Sequence, residues 1–370
     1  MAAGHAHGSG ATRGALFGLG AAVLFGCGTP LAKLLLAEVH PLPLAGLLYL
    51  GGGAGVLLVR LLRRGANTEA PLQRADAIPL LSIVTLGGIV GPLLLLIGLS
   101  RTSGFAASLL LNLEAPFTIG IALLVFREHL GLREAVGAVV IVVGGALLGA
   151  APGGSRADPL GAVAVAAACL AWGIDNNLSQ RLSKKDPIAI ALVKTLGAGT
   201  CSLGLAAALG DLPPRAAILP ALAVGSLSYG ISVLFDLYAL RLLGAAREAA
   251  WFATAPFFGA GLSIALLAER PDRFSVLAGL LILAGVAALR TSRHGHLHRH
   301  APLVHEHAHV HDEHHRHAHP DQSSVHAHPH TAGEPHAHAD EAPHSHPHEH
   351  DPLLEHDHPH VSDEHHRHGH

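Results

Sequence analysis

The sequence predicts an all-α integral membrane protein with ten transmembrane helices, arranged as two inverted five-helix repeats and followed by a disordered cytoplasmic tail. Three observations support this fold class. Half of the 370 residues are hydrophobic and only 14% are charged, which is too apolar for a water-soluble chain of this length. Apolar runs of membrane-spanning length recur along the first three quarters of the chain, and the two halves of that part resemble each other.

Ten apolar runs are long enough to cross a bilayer core of about 30 Å, which takes roughly 20 helical residues. The sixth run contains the polar stretch IDNNLSQ. The first run follows Arg13 as a signal peptide would, but it continues to Val39 and contains Lys33, so we predict a span there. The predicted spans lie at 14–37, 41–62, 77–99, 103–126, 132–151, 159–181, 187–210, 216–240, 244–268 and 273–291.

Lysine and arginine are concentrated in one of the two sets of alternate loops. By the positive-inside rule that set, which includes both chain ends, faces the cytoplasm. We therefore expect a multi-pass protein of a bacterial inner or plasma membrane, with the lipid bilayer as its partner and no nucleic-acid partner. A homodimer is compatible with this pattern. The basic loops contain Arg13, Arg60, Arg63, Arg64, Arg74, Arg127, Arg133, Arg181, Lys184, Lys185, Arg241, Arg290, Arg293 and Arg299.

The chain resembles itself at an offset of about 140 to 147 residues, and the alignment places Pro116 on Pro256 and Glu128 on Glu269. Because each unit has an odd number of spans, the second unit must enter the membrane from the opposite side. Inverted repeats are typical of secondary transporters, since they make inward-open and outward-open states nearly equal in energy. The matched stretches are GALFGLGAAVLFG (14–26) with GAVAVAAACLAWG (161–173), HPLPLAGLLYLGGG (40–53) with DPIAIALVKTLGAG (186–199), and NLEAPFTIGIALLVFREHL (112–130) with ATAPFFGAGLSIALLAER (253–270).

These stretches resemble the EamA family of the drug/metabolite transporter superfamily. The resemblance is carried by APF with FREHL in the first half, by APF with LAER in the second, and by Phe-Gly and Trp-Gly in the first span of each half. It covers residues 14–291 and implies a ten-helix secondary carrier, often an exporter of metabolites, without fixing the substrate. The chain then divides into a cytoplasmic segment 1–13, repeat units 14–151 and 159–291, and a tail 292–370.

Polar groups inside the predicted spans are candidates for a transport route, because a charge costs at least about 2.5 kcal/mol in lipid and must face protein or water. Glu114, near the middle of the fourth span, suits a group that exchanges a proton for a cationic substrate. Asp175 is the member of its polar stretch that we expect to face the interior, and Lys194 should pair with Asp175, Asp236 or Glu114. A purely structural role is the alternative for each. The predicted route contains Asn112, Glu114, Pro116, Asp175, Asn176, Lys194, Asp236 and Pro256.

Glycine and proline inside the spans predict close packing and bending. Prolines remove a backbone hydrogen bond, and the recurrence of Pro116 and Pro256 in both halves favours hinge or cavity-lining roles over plain bending. Glycines four residues apart let helices approach closely, so we assign them to helix packing. Such pairs occur at Gly14/Gly18, Gly51/Gly55, Gly87/Gly91 and Gly145/Gly149.

The residues after Arg293 hold 28 of the 32 histidines, with 13 acidic residues against 3 basic ones. Such a segment buries too little apolar surface to fold, so we predict disorder. Neutral imidazole is a common ligand of transition metals, and repeated HxH steps predict several interchangeable sites for Ni, Co or Zn, although no cofactor is required. The alternative is a solvated, pH-sensitive tail. The predicted metal ligands are His296, His298, His300, His305, His307, His309, His311, His326, His328, His330, His344, His346, His348 and His350.

Two classes of function follow from these features. The first is a secondary transporter, expected to be an exporter, whose substrate is either the metal itself, exchanged for protons through Glu114 and Asp175, or a small organic metabolite or amino acid with a regulatory or idle tail. The second is a membrane-anchored metal buffer or sensor, although an anchor would need one helix rather than ten. An enzyme is not expected, because the sequence has no nucleophile elbow, phosphate loop or intramembrane HExxH.

Overall fold

The computed structural model describes residues 3–62, 70–126, 131–150, 158–182, 185–243, 248 and 251–290, together with four short segments of the tail at 295–299, 304–309, 344–349 and 355–359. Six predicted metal ligands lie outside the described residues, as does Glu128 of the internal alignment. These six ligands are His300, His311, His326, His328, His330 and His350.

Thirteen α-helices are described between residues 3 and 290, and we number them in chain order. They are α1 Ala3–Leu35, α2 Pro41–Leu62, α3 Ala77–Ser82, α4 Gly91–Arg101, α5 Gly104–Leu110, α6 Glu114–Phe126, α7 Leu132–Ala150, α8 Pro159–Arg181, α9 Pro187–Ala208, α10 Arg215–Gly225, α11 Ser232–Leu243, α12 Ala255–Leu266 and α13 Arg273–Arg290. Several join end to end, so they form fewer apolar segments than this number suggests.

Eight continuous helical segments of the described residues are long and apolar enough to cross a membrane, from Thr12–Leu35 to Arg215–Leu240. The predicted ninth and tenth spans correspond to the shorter apolar helices Ala255–Leu266 and Arg273–Leu289. The ninth is shorter than predicted because the chain forms a turn at 253–254 before α12 begins, and residues 244–247, 249 and 250 are not described. The chain is a multi-pass membrane protein, while the number ten stays a prediction.

Three of the long segments change helix type partway. In the third, a 3₁₀ turn at Arg74–Asp76 and α3 lead into a π-helical stretch, Ile83–Val90, which continues as α4. In the eighth, the π-helical stretch Ser226–Ile231 joins α10 to α11. In the fourth, the 3₁₀ turn Leu111–Leu113 joins α5 to α6, where the missing N–H of Pro116 disturbs the hydrogen bonding of the preceding turn. Each interruption alters which backbone carbonyls are free to bind side chains.

The core of the molecule lies where helices of the first half pack against helices of the second. Helix α1 packs on α11 and α12, α2 on α9 and α10, both α4 and α6 on α8, and α7 on α13. At the contact of α1 with α12 the backbones touch, since a Cβ added to Gly259 would lie 2.7 Å from the carbonyl oxygen of Gly26. A cavity between the halves would therefore be lined by residues from both.

The described part of the tail forms four short strands, β1 Gly295–Arg299, β2 Val304–His309, β3 His344–Glu349 and β4 Glu355–Pro359. They pair as two antiparallel ladders, β1 with β4 and β2 with β3. These strands differ from the disorder predicted for 292–370, and a physical reason lies in the HxH repeat, whose period of two matches the alternation of a strand. For the rest of the tail, disorder stays a prediction.

Candidate transport site

An ion pair joins two of the membrane-spanning helices, α8 and α9. The ammonium group of Lys194 in α9 contacts the carboxylate of Asp175 in α8, and only 12% and 2% of their side chains are exposed. The hydroxyl of Ser179, one turn along α8, donates a weaker hydrogen bond of 3.5 Å to the same carboxylate. Asp175 is therefore the partner of Lys194, one of the three that the sequence offered. Because each charge would be costly alone in this setting, the pair stabilises both.

A second polar pair connects the two halves beside the first. The side-chain amide of Asn176 donates a hydrogen bond of 2.6 Å to a carboxylate oxygen of Glu114, which is the first residue of α6. Asn176 is exposed although Asp175 is buried, because neighbouring residues of a helix point about 100° apart. The structure thus brings four predicted residues together as two adjacent pairs, one enclosed and one accessible from the surface of the bundle.

Gly87, in the π-helical stretch of the third segment, packs against the side chain of Asp175. Its carbonyl oxygen accepts hydrogen bonds from the hydroxyl of Tyr49, at 2.8 Å, and from the indole N–H of Trp172, at 3.0 Å. The carboxyl of Asp175 lies directly against the side of Gly87 that carries no side chain. Helices α2, α8 and α9 and the π-helical stretch therefore meet at one point.

Aromatic rings surround this point. Trp172 lies 5.9 Å from Phe25 between ring centroids, and Tyr229 lies 5.9 Å from Phe25 and 5.4 Å from Tyr49. These residues were not predicted from the sequence as part of the site. The sequence did carry one signal for them, which is the low aromatic content of 4%. With so few aromatic residues in the chain, the meeting of four at one point marks that point as unusual.

The remaining predicted route residues take separate positions. Asn112 is buried, its amide donates to the carbonyl of Leu109 at 3.1 Å, and its side-chain oxygen has no partner within the described residues. Pro116 and Pro256 lie in the first turns of α6 and α12, where proline is well tolerated.

Asp236 in α11 forms a side-chain hydrogen bond with Glu248 and lies within electrostatic range of Asp175 and Lys194. A hydrogen bond between two carboxyl groups requires a proton on one of them. Glu248 was not predicted from the sequence as the partner of Asp236.

One end of the bundle, where α1, α4 and α9 end and α2 and α8 begin, is held together by polar contacts. The ammonium of Lys33 donates to the carbonyls of Leu99 and Thr102, at 2.6 and 2.8 Å. Between the halves, Arg101 pairs with Asp158 at 2.9 Å. His40 of the α1–α2 turn contacts Asp211 of the α9–α10 turn at 2.8 Å. This end of the bundle is closed by links across the halves.

The opposite end has contacts between the halves as well. The backbone N–H of Asp186 donates to the carbonyl of Ala70 at 3.1 Å, and Lys185 lies 3.9 Å from Asp76. These contacts join the segment before α3 to the start of α9.

Metal-binding side chains do not gather in the part of the chain whose placement is described: no group of three or more His, Cys, Asp or Glu there could hold an ion. In the tail, the strand register places histidine opposite histidine. The opposed Cα positions are His296 with His358, His298 with His356, His305 with His348, His307 with His346, and His309 with His344.

A multi-pass membrane protein with a helical membrane-spanning part and buried charges between two sets of helices has the architecture of a transporter. The chain belongs to the EamA-like transporter family, whose model matches it twice, over residues 12–150 and 159–291. An uncharacterized transporter of Methanothermobacter thermautotrophicus is 32% identical over 290 residues, covering 73% of this chain and 83% of the relative. A protein of known crystal structure superposes with a TM-score of 0.58 at 21% identity, over 75% of this chain and 98% of that one, which shows the fold alone.

The family model matches two ranges of the chain, while the division into repeat units 14–151 and 159–291 stays a prediction. Membership in this family makes the protein a transporter rather than an enzyme. The opposite orientation of the two units stays a prediction from the odd number of predicted spans.

Proposed function

We propose that the protein is a proton-coupled secondary transporter that exports a small polar organic solute through the region between its two halves. The observation that carries the proposal is the Asp175–Lys194 pair beside the Glu114–Asn176 pair. Buried charges in a membrane are costly, so a cluster of this kind is retained where it performs a task. Export as the direction rests on the family resemblance and on the predicted cytoplasmic location of the tail.

The chemistry of the cluster favours a solute that carries its own charge. A substrate with an ammonium group can replace Lys194 at the carboxylate of Asp175, and a substrate carboxylate can then bind Lys194. The exposed Asn176 and the carboxylate of Glu114 offer a donor and an acceptor for further polar groups. The aromatic rings of Phe25, Trp172 and Tyr229 supply apolar surface beside the charges. A small zwitterion fits this combination.

Proton coupling is supported by the second carboxyl group of the same region. The hydrogen bond between Asp236 and Glu248 needs a proton on one of the two groups, and Glu114 has no basic group within salt-bridge distance among the described residues. Release of a proton from such a group when a cationic substrate binds would link the two movements. Transport of solute in one direction and protons in the other follows from that exchange.

Metal binding by the tail is a second candidate, favoured by the register of the strands. Directly opposed residues of an antiparallel pair share a face, and so do residues two apart on one strand. The register therefore opposes His305, His307 and His309 to three histidines of β3, and although these residues do not form a ready three-ligand site, a bound ion would draw opposed pairs together. We propose that the tail holds Ni, Co or Zn on the predicted cytoplasmic side. A metal route through the core has less support, because its described residues offer no set of nitrogen or sulfur ligands.

The proposal is tested in proteoliposomes that contain a pH-sensitive dye. Amino acids, simple amines and divalent Ni, Co and Zn are added in parallel to the intact protein, to Lys194→Met and to a truncation after Arg293. The exposed pair Arg101–Asp158 supplies the control, Asp158→Asn. We expect an organic solute to drive proton flux in the intact protein, in Asp158→Asn and in the truncation, but not in Lys194→Met. If only metals drive proton flux, and the truncation abolishes it, then the substrate is the metal and not an organic solute.

A further inference from the structure

The carbonyl group of Gly87 is bound from both halves of the molecule. Gly87 lies within the π-helical stretch Ile83–Val90, where the wider turn changes the hydrogen bonding of the backbone. The hydroxyl of Tyr49, in the first half, and the indole N–H of Trp172, in the second, donate to this one oxygen. Both side chains are buried, with 3% and 6% exposed. The two donors fix Gly87 relative to α2 and α8 at once.

The missing side chain of Gly87 makes room for Asp175. A Cβ added to Gly87 would lie 2.6 Å from one carboxylate oxygen of Asp175 and closer still to the rest of the carboxyl group. One turn further along, a Cβ on Gly91 would lie 2.7 Å from the indole nitrogen of Trp172 and 3.0 Å from its Cε2 atom. The Gly87/Gly91 pair, assigned to helix packing from the sequence, in fact accommodates a carboxylate and an indole.

Trp172 and Asp175 are three residues apart in α8, so they lie on the same side of that helix. The third segment therefore receives two contacts from one face of α8, a hydrogen bond to the Gly87 carbonyl and a close packing contact against its Cα. The ammonium group of Lys194 contacts the Oδ2 atom of the same carboxylate. Asp175 thus touches both Gly87 and Lys194, and its distance from the ammonium group depends on how α8 packs on the π-helical stretch.

We propose that Gly87 is a positioning residue of the transport site: its carbonyl and its missing side chain together hold the Asp175 carboxylate in contact with Lys194. The role rests on the proposed function, because it concerns the pair that would exchange with substrate. Gly87 itself acts through Asp175 and does not need to touch the solute. A side chain at this position, or loss of the indole donor, moves α8 away and loosens the ion pair.

The test reads the ion pair directly and does not need a known substrate. Reductive methylation with formaldehyde labels lysine amines, and mass spectrometry compares Lys194 with Lys33 as an internal reference. We expect Gly87→Ala to raise the labelling of Lys194 several-fold, because the amine is no longer held by the carboxylate. The matched control is Gly197→Ala in α9, where the added Cβ would meet Val84 at an ordinary 3.4 Å, and there the labelling should stay unchanged.

If Gly87→Ala fails to fold, Trp172→Phe tests the same proposal, because it removes the indole donor to the Gly87 carbonyl without adding volume. It should raise the labelling of Lys194 in the same direction. Solute-driven proton flux is measured on the same preparations. If the labelling of Lys194 rises in the variants but no solute drives proton flux even in the wild-type protein, the positioning role of Gly87 stands and the proposed transport function is rejected. Unchanged labelling in both Gly87→Ala and Trp172→Phe, or an equal increase in Gly197→Ala, would overturn the role of Gly87.

Discussion

The two carboxylate oxygens of Glu269 accept hydrogen bonds from the consecutive backbone N–H groups of Gly104 and Phe105, each at 2.7 Å. Glu269 follows the last helix turn of α12 in the second half, and Gly104 begins α5 in the first. Immediately before it, Ala268 has a φ of 52°, a left-handed conformation that disfavours a side chain. The left-handed backbone at Ala268 directs the next residue, Glu269, towards the start of α5.

Removal of the Glu269 carboxylate should destabilise the fold and loosen this end of the bundle. The carboxylate satisfies two N–H groups that a helix start leaves free, and such charge-assisted hydrogen bonds are worth about 1.5–3 kcal/mol. We expect Glu269→Ala to lower the free energy of unfolding in detergent by about that amount, and Glu269→Gln to have a smaller effect, since one acceptor oxygen remains. The exposed Glu38→Ala, at the same end, is the control. Equal stability of Glu269→Ala and Glu38→Ala would contradict the role of these bonds.

Relief of the backbone strain at Ala268 should instead raise the free energy of unfolding. Glycine adopts a positive φ without the clash of a Cβ, so Ala268→Gly is expected to stabilise the protein by about 0.5–1 kcal/mol, after allowance for the greater freedom of glycine in the unfolded chain. Ala265→Gly, at an exposed position within α12, should destabilise by about 0.5–1 kcal/mol. Thermal unfolding of the two variants in one detergent compares them, and a loss of stability in both would show that Ala268 is not strained.

The Asp175–Lys194 pair predicts strong coupling between its two members. Loss of one partner leaves the other charge buried without compensation, so Asp175→Asn and Lys194→Met should each lower the free energy of unfolding by about 3–5 kcal/mol. The double variant should be less destabilised than the sum, because no uncompensated charge remains. Unfolding of all four proteins gives the coupling energy. Additive effects would mean that the two groups are not paired in the protein as it occurs in detergent.

The sequence predicted the spans, the duplication and the central charges because each depends on local composition or on internal comparison. A lysine inside an apolar run must find an acid, which limited the partners of Lys194 to three residues, one of them Asp175. The carbonyl of Gly87 could not be predicted, because its binding depends on a π-helical stretch and on donors 38 and 85 residues away in the chain. Glu269 was recognised as a repeat position, but its contact with Gly104 is set by how α12 packs on α5.

The histidine tail predicts metal binding that weakens as the pH falls. Histidine binds metal as the neutral imidazole, and its usual pKa is about 6.5, so protonation competes with the metal below that pH. The intact protein should retain Ni, Co or Zn at pH 7.5 and release most of it near pH 5, whereas the truncation after Arg293 should bind little at either pH. Metal content after gel filtration in detergent measures this. Equal metal content of the intact and truncated proteins at pH 7.5 would remove the tail as the binding segment.

The hydrogen bond between the carboxyl groups of Asp236 and Glu248 predicts which variant separates transport from proton coupling. Asp236→Asn replaces one carboxyl with an amide that can still donate to Glu248, so the local structure should remain while the site can no longer lose and regain the proton of this hydrogen bond in the same way. Exchange of labelled solute for unlabelled solute across the membrane should continue, because exchange needs no net proton movement. Uphill accumulation driven by a pH gradient should fall about tenfold or more, a change that corresponds to at least about 1.4 kcal/mol. Asp158→Asn, at the exposed pair with Arg101, serves as the control and should keep both activities. Loss of exchange and of accumulation together in Asp236→Asn would instead place this carboxyl in the solute route, because only a group that the solute needs would affect both.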